Sequence, residues 1–265
     1  MTLSGASLAA QDRSVGQVGQ IGLQLYTVRN EMEKDFEGTL ARVAEIGYRQ
    51  VEFAGYYGRS PRIVKAILEK NGLKSPSSHI PLDSFEKELT RTLATAKTIG
   101  QTYLVCPWLA EASRKSLDDY KRLAETFNRI AAQVEDAGFK FAYHNHNFEF
   151  TPLEGQIPFE TLMKGTDPKL VNFEMDLYWV ERANQDPVKY LEANIGRVPL
   201  AHVKDMARGP ERSFADVGSG TMDFKTIFQA CEKAGVKYYI VEHDKPENAF
   251  DSIKNSLDYL RSFKF

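Results

Sequence analysis

Cysteine is nearly absent: Cys106 and Cys231 are the only two in 265 residues. Two thiols cannot form a disulfide framework, and the Cys-x-x-Cys and Cys-x-x-His spacings of structural zinc sites are missing. Cys106 stands in the apolar run Leu104-Val105-Cys106-Pro107 and Cys231 in a segment of helical period, so both read as small buried hydrophobes. A charge excess of one sign is also lacking. The 34 basic and 36 acidic residues leave a formal net charge of −2, which argues against nucleic acid and anionic membrane as partners bound through a broad basic surface. No apolar run approaches the ~18 residues that a membrane-spanning helix needs. The dinucleotide fingerprint is absent as well, since Val217-Gly218-Ser219-Gly220-Thr221 is neither a full GxGxxG nor placed after an early strand. What remains is 42% hydrophobic and 26% charged, a composition that buries a large core instead of staying disordered.

Residues 1–20 are expected to form a flexible N-terminal segment. Within it, Ala6-Ser7-Leu8-Ala9 resembles the small-residue end of a secretory signal, although a basic start and a full apolar stretch are missing. Location therefore stays open between periplasm (or secretion) and cytoplasm. From Ile21 onward, short apolar runs alternate with segments of helical period. Strands are predicted at Ile21–Tyr26, Arg49–Phe53, Ser75–His79, Thr102–Cys106, Phe139–His144, Val171–Asp176, Val198–Val203 and Tyr238–Glu242. The clearest helices are Phe36–Ile46, Pro61–Lys70, Leu117–Ala137 and Asp251–Phe263. A glycine recurs where a helix gives way to a strand (Gly47, Gly72, Gly100, Gly138, Gly235), the position at which a left-handed cap favours it. Strands joined by helical crossovers run parallel. Eight of them over residues 21–265, with no Pro/Gly/Ser-rich linker, predict an α/β fold: a single-domain (β/α)8 TIM barrel, with an open doubly wound sheet as the alternative.

Parallel barrels gather reactive groups at the carboxyl ends of their strands. All five histidines, His79, His144, His146, His202 and His243, fall at or just past such an end. Glu52, Asp176 and Glu242 close strands two, six and eight. Alternation places Glu174 on the same face as Asp176, one layer deeper, and lets His144 and His146 share a mouth while Asn145 points away. Several carboxylates converging with imidazoles would repel one another without a cation, and a cluster without cysteine suits a divalent ion such as Mn²⁺, Co²⁺, Zn²⁺ or Mg²⁺. Tyr26, Trp108 and Tyr178-Trp179 are placed to stack on a ring-shaped ligand or to pack the rim. Glu52 and His79 are assigned to substrate contact. Gly218-Ser219-Gly220 offers either a phosphate cradle or a plain turn, and Arg29 and Lys204 can meet the carboxylates or the substrate.

These residues together resemble the xylose isomerase-like TIM-barrel superfamily, the sugar phosphate isomerase/epimerase family. The carriers are Ile21-Gly22-Leu23-Gln24-Leu25-Tyr26-Thr27-Val28-Arg29, Val51-Glu52-Phe53, Tyr143-His144-Asn145-His146, Met175-Asp176, Ala201-His202-Val203-Lys204-Asp205, Val217-Gly218-Ser219-Gly220 and Val241-Glu242. The resemblance implies a metal held by a strand-five Glu, a strand-six Asp, a strand-seven His and a strand-eight Glu. Asp176, His202 and Glu242 match. Strand five carries His144 in place of Glu, so Glu149 just beyond is expected to supply the missing carboxylate, with His144 itself as the alternative ligand.

The implied activity is divalent-metal-dependent sugar (phosphate) isomerisation or epimerisation, by proton abstraction next to a carbonyl through an enediolate. His144, His146, Lys204 and Glu242 are the expected acids and bases. Loss of the strand-five Glu puts a symmetric two-base epimerisation in question. It favours as alternative a lyase or hydratase acting on an inosose or a 3-keto sugar or glycoside. An endonuclease IV-like phosphodiesterase and a non-catalytic carbohydrate binder rank lower. The expected partner is a small carbohydrate, and a homo-oligomer stays open.

Overall fold

The structure is a computed structural model and describes residues 17–265. The expected signal-like stretch at residues 6–9 lies outside the described residues. Eight parallel strands close into a barrel: Gln20–Gln24, Gln50–Phe53, Lys74–His79, Tyr103–Cys106, Lys140–His144, Val171–Asp176, Leu200–Val203 and Tyr238–Val241. The first strand pairs with the second and the eighth, which completes the ring. This is the TIM barrel that the strand–helix alternation predicts.

The helices form where their caps and periodicity direct. Helix Phe36–Ile46 buries Phe36, Leu40 and Val43 on one face and begins at Asp35, whose side chain accepts from the Gly38 N–H. Helix Pro61–Lys70 starts with Ser60 as cap and proline in its first turn. Helix Leu117–Asp136 opens with a reciprocal capping box between Ser116 and Asp119. Gly100 and Gly235 close their helices in the left-handed conformation at φ +90° and +85°, where a Cβ would be strained.

Two apolar assemblies result. The larger fills the space between strands and helices, with Leu40, Phe127, Phe141, Phe159 and Phe228 among its buried members. The smaller, Tyr103, Val105, Ala142, Leu200 and Ile240, plugs the barrel interior. Ala142, Leu200 and Ile240 each stand two residues before His144, His202 and Glu242, so they share their inward face and form the floor beneath them.

Candidate active site

Above that floor the barrel interior becomes charged, in two layers joined by His202. In the deeper layer, His202 Nε2 lies 2.8 Å from Glu52 Oε1 and 3.1 Å from Glu174 Oε2. His79 Nε2 meets the same two carboxylates at 3.1 and 2.7 Å, and Gln24 donates to Glu52 Oε1 at 2.7 Å. The His79 and His202 rings stack at 5.2 Å between centroids. Burial works against the charge of each group, but mutual attraction prevails. His79 and His202 hold Glu52 well below the usual carboxylate range, and Glu52 and Glu174 raise His79 to about 9.

In the upper layer, His144, Asp176, His202 and Glu242 each offer a ligand atom within 4.8 Å of the others, and all four are buried. His202 Nδ1 is 2.9 Å from Glu242 Oε2 and 4.0 Å from Asp176 Oδ2, and His144 Nε2 is 3.4 Å from Asp176 Oδ2. His144 Nε2 is buried without a hydrogen-bond partner, an arrangement costly for a polar atom unless a ligand satisfies it, while Asp176 Oδ2 has the Lys204 ammonium as its ionic neighbour. Two imidazole nitrogens, two carboxylate oxygens and no sulfur suit a divalent first-row ion. His202 Nε2 faces the deeper carboxylates and Nδ1 faces Glu242 and Asp176, so one ring spans both layers. The residues present therefore fit a metal.

Lys204 completes the layer. Its ammonium lies 3.0 Å from Asp176 Oδ2, 2.8 Å from Glu242 Oε2 and 2.8 Å from Asp244 Oδ1. Despite full burial these three carboxylates raise its pKa well above the lysine value. Burial opposes ionisation of Asp176, yet Lys204 and His144 bring it down to about 2. His146 behaves in the opposite way: burial, with His144 and Lys204 nearby, lowers it to about 2 and keeps the imidazole neutral. A cavity of about 380 Å³ opens over this layer, lined among others by His144, His146, Lys204, Glu242, Tyr26 and Trp108. The 760 Å³ cavity beside helix Pro61–Lys70 holds none of these groups.

The structure brings His144, Asp176, His202, Lys204 and Glu242 together and places other expected residues elsewhere. Glu149 does not join the ligand set. The short turn Phe148–Phe150 folds its carboxylate inward, where it hydrogen-bonds the Tyr143 hydroxyl and accepts from the His146 N–H at 2.8 Å. Burial there raises it to about 8, so the carboxyl is largely protonated at neutral pH. His144 takes the place expected of Glu149. His243 leaves the mouth: its Nδ1 accepts from the Lys245 N–H and its ring packs on Phe214, facing a separate cavity. Glu52 lies beneath His202, not in the substrate cavity, whereas His79 reaches both.

Gly218 and Gly220 make no phosphate cradle, because both N–H groups donate to Asp205 Oδ2 at 2.9 Å. Tyr178 is a packing residue whose hydroxyl donates to the Arg212 carbonyl, and Trp179 packs on His146 and Phe214. Arg29 donates to the carbonyls of Tyr26 and Asp244 and lies over the Tyr26 ring, so it braces the rim. Asp244, not anticipated, lies in the loop after the eighth strand, two residues beyond Glu242.

The fold and site agree with a match to the xylose isomerase-like TIM barrel across residues 40–263. The chain belongs to this family. A sugar phosphate isomerase/epimerase from Parabacteroides distasonis superposes with a TM-score of 0.81 at 28% identity, covering 96% of this chain and 98% of its own. A second one from that organism gives 0.79 at 30%, covering 93% and 99%. Inosose dehydratase from Clostridium perfringens is 21% identical over 263 residues, 86% of this chain and 87% of that protein.

Proposed function

We propose that this family member is a divalent-metal-dependent enzyme that removes the proton beside the carbonyl of a sugar or cyclitol, and that loss of a β-oxygen group follows. The observation that carries this reading is geometric: an imidazole, His146, and an ammonium held by three carboxylates, Lys204, line the same cavity beside the ligand set. Epimerisation by two matched bases needs like groups on opposite faces of the substrate. Elimination needs a proton acceptor and a proton donor, two unlike groups.

A divalent ion held by His144, Asp176, His202 and Glu242 would polarise the carbonyl and acidify the adjacent C–H. His146, which lines the cavity over the ligand set, is the group placed to accept that proton. Lys204, positioned by Asp244 and Glu242, donates to the oxygen on which charge develops or which departs. Tyr26 and Trp108, about half exposed over the cavity, cover the ring and exclude water. The relatives support both outcomes: inosose dehydratase favours elimination, the alternative in the sequence reading, and the Parabacteroides structures favour isomerisation or epimerisation, its leading expectation.

The test is incubation of metal-loaded protein with inososes and 3-keto sugars in D₂O. An unsaturated ketone with release of water or an alcohol supports elimination. Deuterium in an otherwise saturated product shows isomerisation or epimerisation instead. No exchange with any member of the panel contradicts the proton-abstraction reading.

A further inference from the structure

The metal cavity has a neighbour. A second chamber of about 300 Å³ lies between the loops after strands two and three, and Ala54, His79 and Pro81 line both spaces. Each chamber is near the lower end of the ~300–1,000 Å³ range that holds small ligands, so one sugar ring over the metal ligands leaves the second space empty. Its walls are largely carbon: Ile80, Pro81, the Tyr56 ring and the half-buried Thr92 and Thr95. The Tyr56 ring is fixed in place, because its hydroxyl donates to Gln101 and its face packs on Phe53. Glu88 and Arg91, 3.4 Å apart, form a polar outer rim. Beyond Arg91 and Thr95 the chamber continues into the groove beside helix Pro61–Lys70 and is not a closed void.

We infer that this chamber binds the leaving group of the substrate, and that the substrate is a keto-glycoside whose aglycone has an apolar, ring-sized body. The inference rests on the elimination reading and names its substrate class. The base removes the proton beside the carbonyl, and the C–H electron pair becomes the new C=C bond. The β C–O bond breaks, and the departing oxygen takes a proton from the acid. An unsaturated ketone and a free alcohol result, with no oxidant or reductant. A cyclitol that loses water would leave the second chamber unused, whereas an aglycone would fill it and depart through the outer groove.

The test separates binding from turnover. Calorimetric titration of metal-loaded protein with unreactive phenyl glucoside and methyl glucoside should show the phenyl compound binding about tenfold more tightly or better, the effect of burying one ring. Thr95→Phe, which fills the chamber from its helix, should bring that ratio to about one. Equal binding of the two compounds by the wild-type protein, or a ratio that Thr95→Phe leaves intact, overturns the inference. The 3-keto derivatives of the same glucosides then report turnover. If the phenyl preference appears in binding while neither derivative yields an unsaturated ketone, the chamber stands and the elimination reading fails.

Discussion

At the scale of single residues, the site turns on which side chain from strand five reaches the ligand set. His144 ends the strand facing inward, and its Nε2 has no other hydrogen-bond partner, whereas both oxygens of Glu149 are engaged. His144→Ala is therefore expected to lower metal affinity by about 100-fold or more, and Glu149→Gln to change it by about threefold or less, by chelator competition. The glutamine amide keeps the size of the uncharged carboxyl and an oxygen that can accept from the His146 N–H. A folded pKa of about 8 against the ordinary 4.5 means that Glu149 contributes most below pH 4.5 and loses that contribution as pH rises towards 8. Glu149→Gln should accordingly flatten the fall in melting temperature over that interval.

At the scale of elements, Asp205 ties strand seven to the Gly218–Gly220 loop. Its carboxylate accepts four backbone N–H groups, from Met206, Gly218, Gly220 and Met222, at 2.7 to 3.2 Å. A Cβ at Gly220 would come within 2.2 Å of Asp205 Oδ1 and 2.4 Å of the Met206 carbonyl, so only glycine permits the approach. Asp205→Ala strands these donors and is expected to cost about 3 kcal/mol or more in denaturant unfolding, with Asp205→Asn costing less.

The strands were legible in the sequence because each is buried on both faces and reads as a short run between glycine-capped helices. Val171–Asp176 and the helices Phe36–Ile46 and Pro61–Lys70 have the predicted bounds. The first strand ends two residues early, at Gln24, because the Gln24 side chain accepts from the Tyr26 N–H and turns the chain into a short 3₁₀ helix. Alternation along strands located Asp176, His202 and Glu242, and it has no authority beyond a strand's end. Glu149 and His243 both lie in loops, where local turns set the side-chain direction. For the same reason Asp205 was legible only as part of a motif, without its role.

At the scale of the whole molecule, an apolar floor, a proton-linked layer and a ligand layer are stacked along the barrel axis. Without metal, the middle layer makes stability depend on pH. His79, raised from 6.5 to about 9, contributes fully below pH 6.5, and its contribution is lost as pH rises through 9. Glu52, held below 4.5, contributes above that value and loses its contribution as pH falls. The metal-free protein should show a melting temperature that declines from pH 6.5 to 9, with a shallower decline in His79→Gln.

The central claim is that the upper layer is a metal site built on His144. Anomalous diffraction from crystals soaked in Mn²⁺ or Zn²⁺ tests it directly. The account predicts one strong peak enclosed by His144 Nε2, Asp176 Oδ2, His202 Nδ1 and Glu242 Oε2, with Glu149 still bonded to Tyr143. A peak coordinated by Glu149, or an upper layer without any peak at saturating metal, would contradict it.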